Sequence, residues 1–261
     1  MTSPVTGNPL DRFRLDGRTA LVTGARREIG RAIAEALGAV GARVAIHHAG
    51  TAEEAADAAA VVAGIGGGAQ AFAADFAHEG AAAKLAADVT ATFGQVDILV
   101  LNASIEILEP VGAITRTAYD RQMAINVWST LELLQALVPP MGARGWGRVV
   151  TIGSVQQLSP AAEMLVYAGY KALQHNWAIN LARQFTRQGV TVNNLAPGLI
   201  ATARNAEQIA TRGEQMQARI PAGRTGRPDD LVGAALLLCS DAGSYISGAN
   251  LYVDGGRTVN L

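Results

Sequence analysis

Short apolar stretches alternate along the chain with longer segments of helical periodicity. The short stretches are rich in β-branched residues and almost continuously apolar, a pattern typical of parallel strands covered on both faces. They lie at 19–23, 43–47, 70–73, 97–101, 148–152, 191–195 and 250–253. Alanine-rich helical segments lie between them, at roughly 28–40, 51–64, 79–93, 117–142, 161–188 and 228–240.

This alternation predicts an α/β fold with a doubly wound, parallel, seven-stranded sheet and helices on both faces. The chain contains no linker, charge run or short-period repeat. We therefore expect a single domain over 1–261, with an N-terminal extension over 1–16. Ligands bind beyond the carboxyl ends of the strands in such sheets, so the residues that follow the strands should share one rim.

Charge and composition argue against several classes of partner. The chain has 21 Lys and Arg residues against 22 Asp and Glu residues, which gives no reason to expect nucleic acid. No stretch reaches the roughly 18 apolar residues of a membrane span, and the polar N-terminus lacks the apolar region of a secretory signal. We expect a cytoplasmic protein with no membrane partner and no metal site.

A glycine-containing turn follows the first predicted strand, in the sequence TGARREIG. Glycine lets the backbone approach a pyrophosphate closely, and the N-terminus of the following helix supplies amide donors and a favourable dipole. Gly24 and Gly30 therefore indicate a dinucleotide site. By itself, such a turn also fits an ordinary connection between a strand and a helix.

A tyrosine and a lysine lie four residues apart in a predicted helix, in YAGYK at 167–171. Side chains at this spacing reach the same face of a helix. Tyrosine is a poor base at neutral pH because its pKa is about 10, and a nearby ammonium lowers that value by stabilising the phenolate. Tyr167 and Lys171 are thus suited to give a proton to a carbonyl oxygen or to take one from an alcohol, and Ser154 can polarise the substrate oxygen. We expect Tyr170 to face elsewhere.

Four motifs occur in an order shared by one family: TGxxxxIG after the first strand, an asparagine after the fourth, YxxxK in a helix, and Pro-Gly after the sixth. With these motifs the chain resembles the short-chain dehydrogenase/reductase family from about residue 17 to residue 256. The resemblance implies a Rossmann-type domain and an NAD(P)-dependent oxidoreductase that interconverts a secondary alcohol or hemiacetal and a carbonyl by hydride transfer. It also implies a tetrad in which Asn126 holds a water of the proton relay and Ser154 precedes the tyrosine by thirteen residues. The tetrad consists of Asn126, Ser154, Tyr167 and Lys171.

Three positions depart from the usual pattern of this family. Glu28 stands where relatives carry the middle glycine of the turn, and its carboxylate would repel phosphates unless it turned outward or capped the helix. After the fourth strand, Asn102 and Ala103 match the family, whereas Leu101 and Ser104 do not. Ser104 adds bulk close to the expected path of the nicotinamide ribose.

The end of the second strand favours NADP over NAD. An acidic residue at this place binds the ribose hydroxyls of NAD, but this chain carries His47 and His48 there. Arg27 lies where NADP-dependent relatives often carry a basic residue, Arg26 is a second candidate, and NAD remains possible. The expected cofactor-binding residues are Gly24, Arg26, Arg27, Ile29, Gly30, His48, Asp75, Phe76, Asn102, Ala103, Tyr167, Lys171, Pro197, Gly198, Ile200 and Thr202.

We call the polar stretch 203–223 the lid segment. It is predicted to form a mobile lid over a small-molecule carbonyl or alcohol substrate. The polar side chains expected beneath it suit a substrate rich in hydroxyls, unless they simply face solvent. The same stretches resemble those of sugar 1-dehydrogenases, so we hypothesise a sugar or polyol. The predicted substrate-binding residues are Ser104, Glu106, Ser154, Gln156, Gln157 and Tyr167.

Two other functions stay open. The overall sequence pattern resembles that of 3-oxoacyl thioester reductases and general ketone reductases equally well. Such a reductase would have a basic patch for an acidic carrier, for which the candidates are Arg204, Arg212, Arg219, Arg224 and Arg227. The departures could instead mark an inactive nucleotide-binding module. Because relatives pair their two long helices across two-fold axes, the resemblance also implies a homotetramer.

Overall fold

Seven parallel strands form the central sheet of the computed structural model, which describes residues 7–260. The strands are β1 (Thr19–Val22), β2 (Arg43–His48), β3 (Ala69–Ala73), β4 (Ile98–Leu101), β5 (Gly147–Ile152), β6 (Val190–Pro197) and β7 (Asn250–Val253). Their order across the sheet is β3-β2-β1-β4-β5-β6-β7, with every neighbouring pair parallel. The predicted fold class is confirmed. The strand order reverses between β1 and β4, which places a crevice at their carboxyl ends.

Helices cover both faces of the sheet and enclose two apolar cores. Side chains of α1, α2 and α8 contribute to one core, and those of α3, α5 and α6 contribute to the other. The helices are α1 (Glu28–Ala39), α2 (Ala52–Ile65), α3 (Ala81–Phe93), α4 (Arg116–Met123), α5 (Ser129–Arg144), α6 (Leu165–Phe185), α7 (Ala206–Gln217) and α8 (Val232–Cys239).

Two helical features differ from the expectation. The predicted helix 117–142 contains a π-helical turn over Ala124–Trp128, and the Asn126 side chain in this turn is fully buried. Such turns are often found at functional sites. The lid segment, predicted only as a mobile lid, contains the regular helix α7, whose sequence is rich in good helix formers.

The N-terminal extension is partly described. Residues 1–6 lie outside the described residues. In the remainder, Pro9–Phe13 forms a short 3-10 helix, and Leu15 packs into a core. No helix within residues 7–260 is long and apolar enough to cross a bilayer.

Candidate active site

A cleft of 1090 Å³ opens at the carboxyl ends of the strands, bordered by the connections after β1, β2, β4, β5 and β6 and by the lid segment. Every residue predicted to bind the cofactor lines this cleft. Of the predicted catalytic set, Ser154, Tyr167 and Lys171 line it, and Asn126 lies behind its wall. The shared rim expected from the strand order therefore brings the candidate residues together.

The turn after β1 is fixed to the end of β4. The Thr23 hydroxyl accepts hydrogen bonds from the backbone N–H groups of Asn102 and Ala103, at 2.9 and 3.0 Å. In return, the Asn102 amide donates to the carbonyls of Thr23 and Gly24, both at 3.0 Å. A Cβ atom at Gly30 would collide with the Gly24 carbonyl and lie 2.5 Å from the Asn102 amide nitrogen. Only glycine therefore fits at position 30, in the first turn of α1.

His47 supports the same turn, a role that the sequence analysis did not assign. Its Nδ1 accepts a hydrogen bond from the Gly24 N–H at 3.0 Å, and its Nε2 contacts the Ala74 carbonyl at 2.8 Å. These partners require the neutral tautomer with the proton on Nε2. Burial lowers the pKa of His47 to about 4, and its ring stacks on Phe76 at 4.2 Å. Two consecutive histidines ending an otherwise apolar strand were the available signal.

The two candidate arginines of the turn differ in their surroundings. The Arg26 guanidinium pairs with Glu54 at 3.2 Å and with Asp57 at 2.5 Å, so its charge is already neutralised. Arg27 is half-exposed, and its Nε lies 4.0 Å from Glu28. Of the two predicted arginines, Arg27 therefore has the charge that is less fully paired. Beside them, the buried Nδ1 of His48 has no hydrogen-bond partner within residues 7–260.

Ser154, Tyr167 and Lys171 are all buried at the cleft wall. Burial raises the pKa of Tyr167, while the positive charge of Arg204 and a hydrogen bond with Ser154 oppose this rise. The Lys171 Nζ donates to the Ile152 carbonyl at 2.6 Å and lies 5.8 Å from the centre of the Tyr167 ring. Burial lowers the pKa of Lys171 to about 7, so its side-chain amine is only partly protonated at neutral pH.

Asn126 does not have the polar groups free for the predicted water-holding role. Its side-chain oxygen accepts from the Ile105 N–H at 2.9 Å, and its amide donates to the Ile105 carbonyl at 3.1 Å. Its backbone carbonyl accepts from Gln174 at 2.7 Å and from Thr130 at 2.9 Å, which fills both lone pairs. The Gln174 carbonyl oxygen accepts in turn from Lys171 at 3.3 Å. Gln174, which the sequence analysis did not single out, thus bridges Lys171 and Asn126.

Tyr170 faces away from the cleft, as expected, and has a structural role. Its hydroxyl donates to the Ile105 carbonyl at 2.7 Å, and its ring meets the Tyr167 ring edge-on at a centroid distance of 5.0 Å. Ile105 is therefore held by both Asn126 and Tyr170. These contacts fix the loop that follows β4 against the catalytic helix α6.

The three departures from the family pattern have different environments. Leu101 is buried in an apolar core, away from the cleft. Glu28 has a φ of +53°, and its carboxylate accepts a hydrogen bond from the Ala203 N–H at 2.5 Å. It neither caps α1 nor points outward, which were the two expected alternatives. The Ser104 carbonyl accepts from the Arg204 guanidinium at 2.7 Å.

Polar side chains line the part of the cleft beside Tyr167. Glu106 is mostly buried, and burial raises the pKa of its carboxyl, opposed by Arg204 at 3.9 Å. Gln156 lines the cleft, with its carbonyl oxygen bonded to the Ala161 N–H at 2.7 Å. The structure does not bring Gln157 to the cleft. Its side-chain oxygen accepts from Asn194 at 3.1 Å, which turns the side chain into the fold and away from the cleft.

The five arginines proposed as a carrier patch do not share one surface. Arg204, Arg212 and Arg219 line the cleft, whereas Arg224 and Arg227 do not. Arg224 forms two hydrogen bonds to the Asp230 carboxylate, at 2.7 and 2.8 Å. Within residues 7–260, no group of three or more His, Cys, Asp or Glu side chains is placed to hold a metal ion.

Comparisons with known proteins agree with this geometry. A family model described as "Enoyl-(Acyl carrier protein) reductase" matches residues 24–258. Sorbitol dehydrogenase of Cereibacter sphaeroides is 40% identical over 94% of this chain and 99% of its own length. The structure of a 3-oxoacyl (acyl-carrier-protein) reductase from Agrobacterium tumefaciens with NADP bound is 41% identical, with a TM-score of 0.88 over 98% of this chain and 99% of that one. A gluconate 5-dehydrogenase from Burkholderia cenocepacia, in complex with NADP and tartrate, is 34% identical, with a TM-score of 0.90 over 97% and 99%.

Proposed function

The chain belongs to the short-chain dehydrogenase/reductase family, and we propose on this premise that Tyr167, Lys171 and Ser154 carry out its chemistry. The protein is an NAD(P)-dependent oxidoreductase that interconverts an alcohol and a carbonyl. These three buried side chains converge at the wall of one cleft, beyond the carboxyl ends of the strands, and this convergence is the main support for their assignment.

The residues present fit a nicotinamide dinucleotide, and NADP in particular. The N-terminus of α1 faces the cleft and lacks a side-chain cap, so its first amide groups are free to bind a pyrophosphate. The Nδ1 of His48, which has no hydrogen-bond partner among residues 7–260, and the half-exposed Arg27 lie at the end that would take the adenosine ribose and its phosphate. The bound cofactor supplies or accepts the hydride.

The side chains of this protein handle the proton that accompanies the hydride. In the reductive direction, the Tyr167 phenol donates its proton to the substrate oxygen, and the Ser154 hydroxyl donates a hydrogen bond to the same oxygen. The Lys171 ammonium stabilises the phenolate that results. In the oxidative direction, the phenolate takes the proton from the alcohol.

A sugar or polyol is the substrate class that we favour. Ser104, Glu106 and Gln156 border the cleft beside Tyr167 with both donors and acceptors, which suits several substrate hydroxyls. Relatives named for sorbitol and gluconate fit the same substrate class. A 3-oxoacyl thioester is the second candidate, supported by Arg212 and Arg219, which are exposed at the cleft and form no ion pair within residues 7–260.

A substrate panel tests the two candidates. NADP+ and NAD+ are each offered with aldoses, polyols, aldonates and simple secondary alcohols, and the reverse assay uses the ketones and acetoacetyl thioesters. We expect turnover of at least one polyhydroxy compound, with NADP+ preferred. Reduction of acetoacetyl thioesters without turnover of any sugar or polyol would refute the sugar assignment. Tight NADPH binding without turnover of any compound would indicate a nucleotide-binding module.

The Tyr167→Phe variant tests the proton donor. It removes the phenolic hydroxyl and keeps the ring, so kcat should fall by at least about 100-fold while NADPH binding is retained. Tyr170→Phe is a matched control, because it removes a buried hydroxyl on the same helix that bonds only to the Ile105 carbonyl. It should lower kcat far less. Near-normal turnover by Tyr167→Phe would overturn the assignment.

Our proposal also covers the whole chain as one NAD(P)-binding domain that works in the cytoplasm as a homotetramer. The single continuous sheet supports the single domain. Exposed apolar side chains on the helices that relatives pair, including Trp128 and Leu165, support assembly. Fractionation of cells tests the location.

A further inference from the structure

Two of the positions that depart from the family pattern contact the same short stretch of the lid segment. The Glu28 carboxylate accepts a hydrogen bond from the Ala203 N–H at 2.5 Å. The Ser104 carbonyl and hydroxyl accept from the guanidinium of the next residue, Arg204, at 2.7 and 3.3 Å. Glu28 is the first residue of α1, at the end of the turn after β1, and Ser104 belongs to the loop after β4. The beginning of the lid segment is therefore bonded to two separate walls of the cleft.

Glu28 holds its position at a conformational cost. Its φ of +53° lies in the left-handed region, and it is the only non-glycine residue with a positive φ within residues 7–260. Glycine adopts this conformation freely, whereas a residue with a Cβ atom is strained there. A glutamate at this position brings a carboxylate that glycine lacks. This carboxylate accepts the hydrogen bond from the Ala203 N–H. The strain thus coincides with a bond between the turn and the lid segment.

Apart from the Arg204 guanidinium 3.9 Å from the Glu106 carboxylate, few other contacts hold the front of the lid segment. At its base, the Ala201 N–H donates to the Gly226 carbonyl, and the Gly226 N–H donates to the Leu199 carbonyl, both at 2.9 Å. Beyond this base, no residue of the described helix α7 is buried. The side chains of α7 on the Glu28 side, Ala206, Ile209 and Ala210, border an open hollow and are not packed against a core. Apolar packing therefore contributes little to keeping α7 over the cleft.

We propose that Glu28 and Arg204 form a latch that holds the lid segment over the cofactor cleft and slows the departure of the bound dinucleotide. The inference rests on the proposed function in one respect, because the cleft must take a dinucleotide. Hydrogen bonds with a charged partner are stronger than neutral ones, and both bonds of the latch are of this kind. The bond to Ala203 also directs the Glu28 carboxylate to the lid segment. This direction lessens the repulsion expected between this carboxylate and the phosphates.

The rate of NADPH dissociation tests the latch. NADPH is displaced from the full-length protein by excess NADP+, and its fluorescence is followed in a stopped-flow instrument. Glu28→Gly removes the acceptor and relieves the strain, so dissociation should be faster by about tenfold without a loss of thermal stability. Glu28→Gln keeps an acceptor oxygen but removes the charge, which weakens the bond without abolishing it, so its rate should lie between those of the wild type and Glu28→Gly.

Glu35→Gln serves as the control, since Glu35 is an exposed acid on the same helix whose partner is Arg31. It should not change the rate. Equal acceleration by Glu28→Gly and Glu28→Gln would show that only the charge matters and would overturn the latch. A wild-type rate in Glu28→Gly would overturn it as well.

Hydrogen–deuterium exchange of the cofactor-free protein separates the latch from the proposed function. The peptide that contains Ala203 should exchange at least about tenfold faster in Glu28→Gly, and faster also in Arg204→Ala, than in the wild type and Glu35→Gln. If wild-type protein fails to bind NADPH, the proposed function fails. Exchange at Ala203 still decides the latch in that case, and unchanged exchange in Glu28→Gly would refute it.

Discussion

At the scale of single residues, His47 shows how a buried polar group shapes the cofactor cleft. The ring accepts from the Gly24 N–H and bonds the Ala74 carbonyl, so it joins the turn after β1 to the segment after β3. Only the neutral ring can accept the first of these bonds. Burial lowers the pKa of His47 to about 4, which keeps the ring neutral at physiological pH.

This arrangement predicts a loss of stability in acid. The pKa of His47 is about 4 in the folded protein and about 6.5 in the unfolded chain, so between these values the unfolded state binds a proton that the folded state does not. The free energy of unfolding should therefore fall as the pH drops from 6.5 to 4, by about 3 kcal/mol from this residue.

Urea denaturation of His47→Gln at pH 7 and pH 4 measures this contribution. Glutamine can accept from Gly24 and donate to Ala74 but does not titrate, so this variant should lose about 3 kcal/mol less on acidification than the wild type. His78→Gln, at an exposed histidine, is the control and should behave as the wild type. An equal loss in all three proteins would contradict the role given to His47.

At the scale of elements, helix α6 organises the catalytic side of the cleft. Tyr167 and Lys171 are four residues apart, as are Tyr170 and Gln174, and all four side chains are buried. This face of the helix carries the proposed acid, its ammonium, and the two side chains that bond to Ile105 and Asn126. The catalytic helix is thus tied to the π-helical turn and to the loop after β4.

Gln174 should tune the ammonium of Lys171. Gln174→Leu removes an acceptor of the buried Nζ, so the pKa of Lys171 should fall below its present value of about 7. Less ammonium then stabilises the Tyr167 phenolate, and the rising limb of kcat/KM against pH for alcohol oxidation should move to higher pH by about one unit.

The control for this profile is Gln184→Leu, at an exposed position of α6 where the side chain bonds to Asn180. Its limb should stay in place. A lower rate in Gln174→Leu with an unshifted limb would show that Gln174 only packs the helix.

At the scale of the whole molecule, the exposed apolar side chains argue for assembly. Trp128, at the end of the π-helical turn that leads into α5, is 49% exposed, and Leu165, at the start of α6, is 56% exposed. An indole exposed to this extent is costly in water and is typical of an interface.

Light scattering should give four times the mass of the chain. Trp128→Glu should convert the tetramer to a smaller species, because it places a charge in the proposed interface. Gln70→Glu, on an exposed position of the edge strand β3, should leave the mass unchanged. A monomeric wild type would refute the tetramer.

The sequence by itself determined the elements and their common rim. Near-continuous apolar runs and 3.6-residue periodicity depend on neighbours along the chain, so the seven strands and the main helices were predictable. The Tyr167–Lys171 spacing and the position of Ser154 after β5 were equally local signals. Once the strand order was that of a doubly wound sheet, their convergence at one cleft followed.

Only the tertiary structure decided where individual polar side chains point. Glu28 meets Ala203 across 175 positions of sequence, and Gln174 meets the Asn126 carbonyl across 48. Gln157 turns toward Asn194, and Arg26 is neutralised from helix α2. A side chain near two possible partners goes to the one that packing brings within hydrogen-bond distance. No periodicity records that choice, because the partner belongs to another segment of the chain.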